Sequence, residues 1–517
     1  MDIWFHNQGK GIINVVTGAG KTVLALGAIA RLENVLRADQ APALKIKIIV
    51  PKVFLANQWV KNLLEDLAVS RDEIGVYSGI HKDPLTRKYM IYVVNSARYT
   101  LSPHILNDYH NGNSILLIAD ECHHYSSPEN SCIFDFIPQI LAKDQASRYY
   151  ALGLSATPET PTFNEKLVPA LGPEIFKYSF VDALNANIIS SFAIFNVKLK
   201  FTPDEGQEYK ELTDKIVYTL DILLGCCSFL KNLNKSRFFA SLEQLAQKSD
   251  NTEVANLARS VLTYSIMRKD LVHRAESRIS CVTNLLIQLP RSSKVLIFSE
   301  RIEVADIIYT ELQSLFPGQV GRYHSKMDEK RRKKILNHYQ EGQIRILVSC
   351  RALDEGLNVP ATDIGIIASS TSSNRQRIQR LGRILRHTGN KQTARLYYLF
   401  IGSSNEEQDL LVDVSHNLSG VIPILDLEYD EYSETFIHST YQAMADRVLA
   451  YTRRKNWSTK IIAEIKRNLK RGKLSCDWWH SEQDCRIKIQ NASSRSEKNY
   501  WVSMRLLVQA NLGRLVE

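Results

Sequence analysis

GIINVVTGAGKTVLALGAIARL, residues 11–32, is the stretch on which the reading of this chain turns. Gly11 to Val16 is a short β-branched apolar run, the pattern of a buried strand. Thr17-Gly18-Ala19-Gly20-Lys21-Thr22 then turns the chain, and Val23 to Leu32 carries a helical pattern. Strand, glycine-rich turn and helix in that order are the context that a phosphate loop requires. Glycines let backbone N–H groups close on a phosphate, and the helix N-terminus adds partial positive charge. Lys21 is then placed to reach β- and γ-phosphates, and Thr22 to ligate Mg²⁺. Val15 stands where the G-x-x-x-x-G-K-[ST] pattern has its first glycine, and a turn like this also arises by chance.

Working outward, a second apolar run, ILLIA at 115–119, leads straight into Asp120-Glu121-Cys122-His123. A strand ending in two acids supplies what in-line attack on a γ-phosphate needs: Asp120 towards the metal and Glu121 towards the attacking water. Taken alone, two acids at a strand end are also a common turn. Further strand signals, at Ile46 to Val50, Met90 to Val94 and Tyr149 to Leu154, alternate with helical patterns and predict a parallel α/β sheet. From Asp204 to Leu289 the periodicity is helical. Strand and helix alternation resumes at Lys294 to Phe298, with strands at Ile344 to Ser349, Asp363 to Ala368 and Ala394 to Phe400. The expected organisation is an α/β lobe over 1–203, a helical linker over 204–289, a second α/β lobe over 290–425 and a C-terminal accessory region over 426–517.

Charge singles out the last region. Of the 65 Lys/Arg and 55 Asp/Glu, 16 and 6 fall from Arg447 onward, and the remaining 49 of each sign balance. Such a segment is the footprint of a polyanion partner, or a solvated basic tail. Arg453-Arg454-Lys455-Asn456-Trp457, Lys466-Arg467, Lys470-Arg471-Gly472-Lys473, Trp478-Trp479 and Tyr500-Trp501 interleave cations with aromatics. That mixture suits a single strand, whose bases stack while cations hold its backbone. It equally suits a Trp cluster packing a small domain, or a protein-partner site. No apolar stretch reaches the roughly 20 residues of a membrane span. The N-terminus lacks a secretory pattern, and eight scattered cysteines form no C-x-x-C pair, which predicts a reducing, cytoplasmic or nucleoid-associated setting without a membrane. Cys476, His480 and Cys485 are too few and too oddly spaced for zinc.

In order, these segments resemble the motifs of a superfamily 2 helicase of the DEAD/DEAH-related group, on the side of the XPB-like repair helicases and type III restriction subunits. Thr17 to Thr22 resembles motif I, Asp120 to His123 motif II, and Ser155-Ala156-Thr157 motif III. Pro51 with the Gln58-Trp59 helix resembles motif Ia, and Val94-Asn95-Ser96-Ala97 motif Ib. In the second lobe, Val295 to Ser299 resembles motif IV, Ile346 to Pro360 motif V, and Gln379-Arg380-Leu381-Gly382-Arg383-Ile384-Leu385-Arg386 motif VI. The resemblance implies two RecA-like lobes that close on ATP and Mg²⁺ and drive a helicase or translocase. DNA is favoured over RNA as the track.

By the same resemblance, Gln379 reads the attacking water or the γ-phosphate, Asp354 and Gly356 sit near the ribose, and Ser155 and Thr157 couple the nucleotide to the strand. His123 joins that coupling set. Arg383 and Arg386, three apart on one helical face, suit the charge that spreads over γ-phosphate oxygens. Strand contacts are expected from the segment after Pro51, from Asn95 and Ser96, from His324-Ser325-Lys326 and from Ser349-Cys350-Arg351, whose short polar side chains suit phosphate and sugar. The family also carries an arginine–tyrosine–glutamine segment well before motif I, whose glutamine reads adenine. Here 16 residues precede Thr17, and Gln8 lies too close to it. A truncated start, or adenine recognition that is weak or supplied elsewhere, is the corresponding expectation. An ATP-switched clamp without unwinding and an inactive scaffold are the alternative readings.

Overall fold

A computed structural model describes residues 2–515 apart from 17–18, 80, 142–147, 157, 161, 187, 189–191, 351–361, 370–393, 408–422 and 476. The chain divides into two compact units, the second beginning at Phe192.

The first unit is a seven-stranded sheet: β1 (Lys10–Val15), β2 (Leu44–Val50), β3 (Ile74–Tyr77), β4 (Tyr89–Val93), β5 (Ser114–Asp120), β6 (Tyr149–Ser155) and β7 (Glu174–Tyr178). Their order is β3-β4-β2-β5-β6-β1-β7, and every pairing is parallel. Parallel strands covered on both faces read as continuous apolar runs, and β4 and β5 are buried at every position. Two apolar cores lie on the two faces of the sheet, one built around Leu26, Ile29 and Trp59, the other around Tyr92, Ile105 and Tyr125. The short helix Asp2–His6 is tied to the sheet by Trp4, whose buried indole N–H donates to the carbonyl of Ala151 at 2.9 Å.

The second unit holds an eight-stranded sheet of β8 (Phe192–Leu199), β9 (Val295–Ser299), β10 (Val320–Tyr323), β11 (Ile346–Cys350), β12 (Ile364–Ile367), β13 (Ala394–Ile401), β14 (Ile424–Asp430) and β15 (Thr435–Ile437). The order is β10-β11-β9-β12-β13-β8-β14-β15, parallel throughout except for the final β14–β15 pair. Both sheets, parallel-dominated and flanked by helices among the described residues, have the plan of RecA-like lobes.

β8 differs from the sequence expectation. Residues 192–199, expected in the first lobe, lie in the second sheet, between β13 and β14. Its burial pattern reads equally well in either sheet, and only the pairing with Ala394–Ile401, about 200 residues later, decides.

Between β8 and β9, residues 203–288 form the helices Pro203–Cys226, Lys235–Lys248, Thr252–Arg274 and Ser277–Gln288. Thr202 starts the first with a capping box: its hydroxyl accepts from the Glu205 N–H, and the Glu205 carboxylate accepts from the Thr202 N–H. The first three helices share a small core around Leu223, Leu242 and Val254. The fourth returns to the sheet through Arg278, fully buried, whose guanidinium donates to the carbonyls of Val272 and Leu399 and pairs with Glu406.

After β15 come the helices Ser439–Arg454, Thr459–Gly472, Glu482–Gln490 and Arg495–Asn511. They share one core with the second sheet, and the Tyr397 hydroxyl on β13 donates to the Leu474 carbonyl at 2.5 Å. Trp478, Tyr500 and Trp501 are buried in that core, while Trp479 stands half exposed. Most of the aromatics that the sequence offered for base stacking therefore pack the domain. No helix among the described residues is long and apolar enough to cross a membrane.

Candidate nucleotide site

In a doubly wound sheet, ligands bind outside the carboxyl ends of the strands, where the strand order reverses. In the first unit the adjacent strands β5, β6 and β1 end together at Asp120, Ser155 and Val15. Chain direction alone therefore gathers the phosphate loop, the two acids and Ser155 at one edge.

Thr17 and Gly18 lie outside the described residues. Ala19 and Gly20 complete the turn, and Gly20, at φ 91°, caps the helix Lys21–Ala38. A Cβ at Gly20 would meet nothing within 4 Å, so the left-handed backbone, not crowding, calls for glycine here. The helix N-terminus opens beside it with Lys21 and Thr22 in the first turn.

The Lys21 ammonium meets Glu121 Oε1 at 2.8 Å, with both side chains mostly buried. Glu121 itself is left-handed at φ 49°, ψ 52°, a costly conformation for a non-glycine residue. It turns the chain from β5 into the 3₁₀ segment Cys122–Ser126 and points the carboxylate back at the loop. The other oxygen, Oε2, accepts no hydrogen bond among the described residues and lies 3.6 Å from His123 Nδ1. His123 Nδ1 is also hydrogen-bonded to Ser155 Oγ at 2.9 Å, and both groups are buried. Lys21, Glu121, His123 and Ser155 thus form a continuous polar path across three adjacent strand ends.

Asp120 is held separately. Its Oδ2 accepts from the Trp59 indole N–H at 3.0 Å, and Oδ1 accepts from the Glu121 backbone N–H at 3.0 Å. The Tyr125 hydroxyl sits between the carbonyls of Asp120 (2.8 Å) and Ile49 (3.0 Å), pinning the end of β5 to β2. Burial, then the neighbouring Glu121 charge, pushes the Asp120 carboxyl above its usual range. Burial opposes the Glu121 charge too, but Lys21 and His123 outweigh it and hold that carboxyl below its usual range. A buried acid poised to ionise beside a cation fits a divalent-metal ligand. Mg²⁺ characteristically takes one or two carboxylates and fills the rest of its sphere with phosphate and water. The helix N-terminus, the Lys21 ammonium and the unpartnered Glu121 oxygen fit a triphosphate with its metal.

Asn95 and Ser96 follow β4 on the short helix Val94–Ala97, Asn95 exposed and accepting from Arg98 at 3.1 Å. In the second unit, His324 follows β10 and Cys350 ends β11, neighbouring parallel strands, so these segments share a carboxyl edge. Thr157, Arg351, Asp354, Gly356, Gln379, Arg383 and Arg386 lie outside the described residues. Sequence reasoning missed Trp59 as the partner of Asp120, since a tryptophan on an amphipathic helix reads as core. Tyr125 was likewise missed, for nothing in its spacing announces a carbonyl partner on β2.

Residues 2–160 match the family described as type III restriction enzyme, res subunit, and residues 277–388 match the helicase conserved C-terminal domain. A protein called DNA 3′-5′ translocase XPB2, from Sulfurisphaera tokodaii, is 28% identical over 385 residues, covering 74% of this chain and 76% of that one. A putative DNA 3′-5′ helicase Rad25 from Haloarcula marismortui is 23% identical over 429 residues, 82% of this chain and 55% of its own length. The chain thus spans between about half and three quarters of the length of these relatives. The Pyrococcus furiosus Hef helicase domain superposes with a TM-score of 0.49 at 17% identity, covering 80% of this chain and 97% of that one. In the order of its motifs, in the two domain matches and in these relatives, the chain is similar to the superfamily 2 helicases of the XPB-like, type III restriction subunit-like branch.

Proposed function

We propose that this chain is a nucleic-acid-stimulated ATPase that works as a helicase or translocase on DNA. The observation that carries this reading is the polar path from Lys21 through Glu121 and His123 to Ser155, beside the indole-held Asp120. In it, Lys21 and the backbone N–H groups of the loop bind the β- and γ-phosphates, and Asp120 with Thr22 holds Mg²⁺, which neutralises phosphate charge when bound. Glu121 leaves Lys21 as the phosphate takes its place, and its Oε2 orients and deprotonates the attacking water. Arg383, Arg386 and Gln379 supply the charge and the water contact, and Asp354 and Gly356 flank the ribose. His123 passes the state of Glu121 to Ser155, and Ser155 with Thr157 passes it to the strand. Asn95, Ser96 and Arg351 hold the strand's phosphates. DNA is favoured because the relatives are named as DNA translocases and helicases. A DNA track places the protein inside the cell.

Binding of a fluorescent ATP analogue, measured alongside hydrolysis, tests these roles. Lys21→Ala is expected to lose binding, and Glu121→Gln to bind but not hydrolyse. Unchanged hydrolysis in Glu121→Gln would remove the proposed base.

A further inference from the structure

The helices Ser439–Arg454 and Thr459–Gly472 enclose a groove of about 620 Å³. Ala445, Leu449, Ala463 and Leu469 contribute apolar lining, and Lys460, Lys466, Arg467, Lys470 and Lys473 supply the charge. The first four of these cations are exposed. Among the described residues none of the five is ion-paired, although other arginines nearby are: Arg486, Arg505 and Arg514 all converge on Glu482. Each helix contains a single acid. Glu464 faces away and accepts from Asn499, and Asp446 accepts from Gln442 on its own helix. Neither contributes to the groove. Lys473 is pushed below the usual lysine range by burial and then by the neighbouring Lys470 charge.

We infer that this groove is a second nucleic-acid site, one that grips the phosphate backbone of duplex DNA without reading bases. At 1.5 Å per residue, Lys460 to Lys470 spans about 15 Å along the helix. A B-form strand places a phosphate every 3.4 Å along the duplex axis, so that length matches roughly four phosphates. Base stacking is excluded as the mode in this groove because the aromatic residue in its lining, Tyr441, is buried and offers no exposed ring. The groove belongs to the unit that carries the second sheet, and it contains none of the residues assigned to hydrolysis. Choosing DNA over another polyanion rests on the function proposed above.

The test is full-length protein without nucleotide, titrated into a labelled duplex at stepped salt, against K460Q/K466Q/R467Q/K470Q. Glutamine matches lysine and arginine in helix propensity and the four positions are exposed, so the fold is kept. At about 0.9 per neutralised phosphate, the slope of log affinity against log salt should fall by about 3 to 4. In the wild type, acylation of Lys460, Lys466 and Lys470 should be suppressed by the duplex, with exposed Lys210 as the reference. An unchanged slope overturns the proposal. So does protection of these lysines by phosphatidylserine vesicles or polyglutamate but not by the duplex. Loss of slope in a chain that hydrolyses no ATP would leave the groove standing and remove the motor. Polymer-stimulated hydrolysis with an unchanged slope would do the reverse.

Discussion

Glu121 is where the site concentrates its cost. A left-handed glutamate at the end of a buried strand persists only when its surroundings over-determine it, and here Lys21, the Asp120 carboxylate and the β5 pairing do so. Glu121→Gln keeps the shape and removes the base. Hydrolysis is expected to fall roughly 10²–10⁴-fold in a steady-state assay while nucleotide still binds. Trp59→Phe deletes the indole donor and leaves Asp120 Oδ2 short of a buried partner, which should cost about 1–3 kcal/mol in urea unfolding. The same change should raise the Mg²⁺ concentration needed for half-maximal activity, as loss of a partner that orients a metal ligand does. At this scale the loop lysine and the acid pair were legible, because their chemistry fixes residue type and position on a strand end. Trp59 was not, because its role depends on where the helix that follows β2, the strand beside β5, happens to pack.

Between elements, two polar links do different work. The His123–Ser155 bond ties β5 to β6 and continues the path from Glu121. Ser155→Ala should leave basal hydrolysis in place and lower its stimulation by polynucleotide, a coupling of 1–3 kcal/mol corresponding to roughly 5- to 150-fold. The second link is buried away from the site. Lys47 on β2 meets Asp108 at 2.5 Å and His104 at 3.1 Å, and His104 also bonds Tyr92. Burial outweighs the Asp108 partner and lowers Lys47 to about 8. Burial works to raise Asp108, but His104 and Lys47 outweigh it and hold it at about 2. Lys47 binds its proton less tightly folded than unfolded, where lysine titrates near 10.4, so stability should rise as pH climbs from about 8 to about 10. Asp108 is also depressed, so its contribution is full above about pH 4 and is lost as pH falls towards 2. Urea unfolding at stepped pH should show both slopes in the wild type and neither in Lys47→Met/Asp108→Leu. Lys47→Met alone strands a buried carboxylate and should cost about 3–5 kcal/mol.

Over the whole molecule, the two-lobe plan was readable because parallel strands buried on both faces print continuous apolar runs. β5 and β13 are examples. β8 was misplaced because strand identity reveals burial but not partner. β3, only Ile74–Tyr77 with a glycine inside, and the edge strand β7, with two exposed positions, gave too little signal to be singled out. The C-terminal aromatics were legible as a group yet open in purpose, and packing against Tyr397 and Met504 settled most of them as core. Ending the chain after Ile437 would therefore strip Tyr441, Leu469, Trp478, Met504 and Leu507 from that core. At 1.5–3 kcal/mol per large side chain the loss is of order 10 kcal/mol, comparable to a domain's whole stability. The truncated chain should lose its cooperative thermal transition and become sensitive to limited proteolysis across 192–437. The central claim is a motor driven by nucleic acid, and steady-state ATP hydrolysis without polymer, with single-stranded DNA, with duplex DNA and with RNA tests it most directly. Strong stimulation by DNA that disappears in Glu121→Gln is the predicted result. Hydrolysis that is absent, or indifferent to every polymer, while ATP still binds would contradict it.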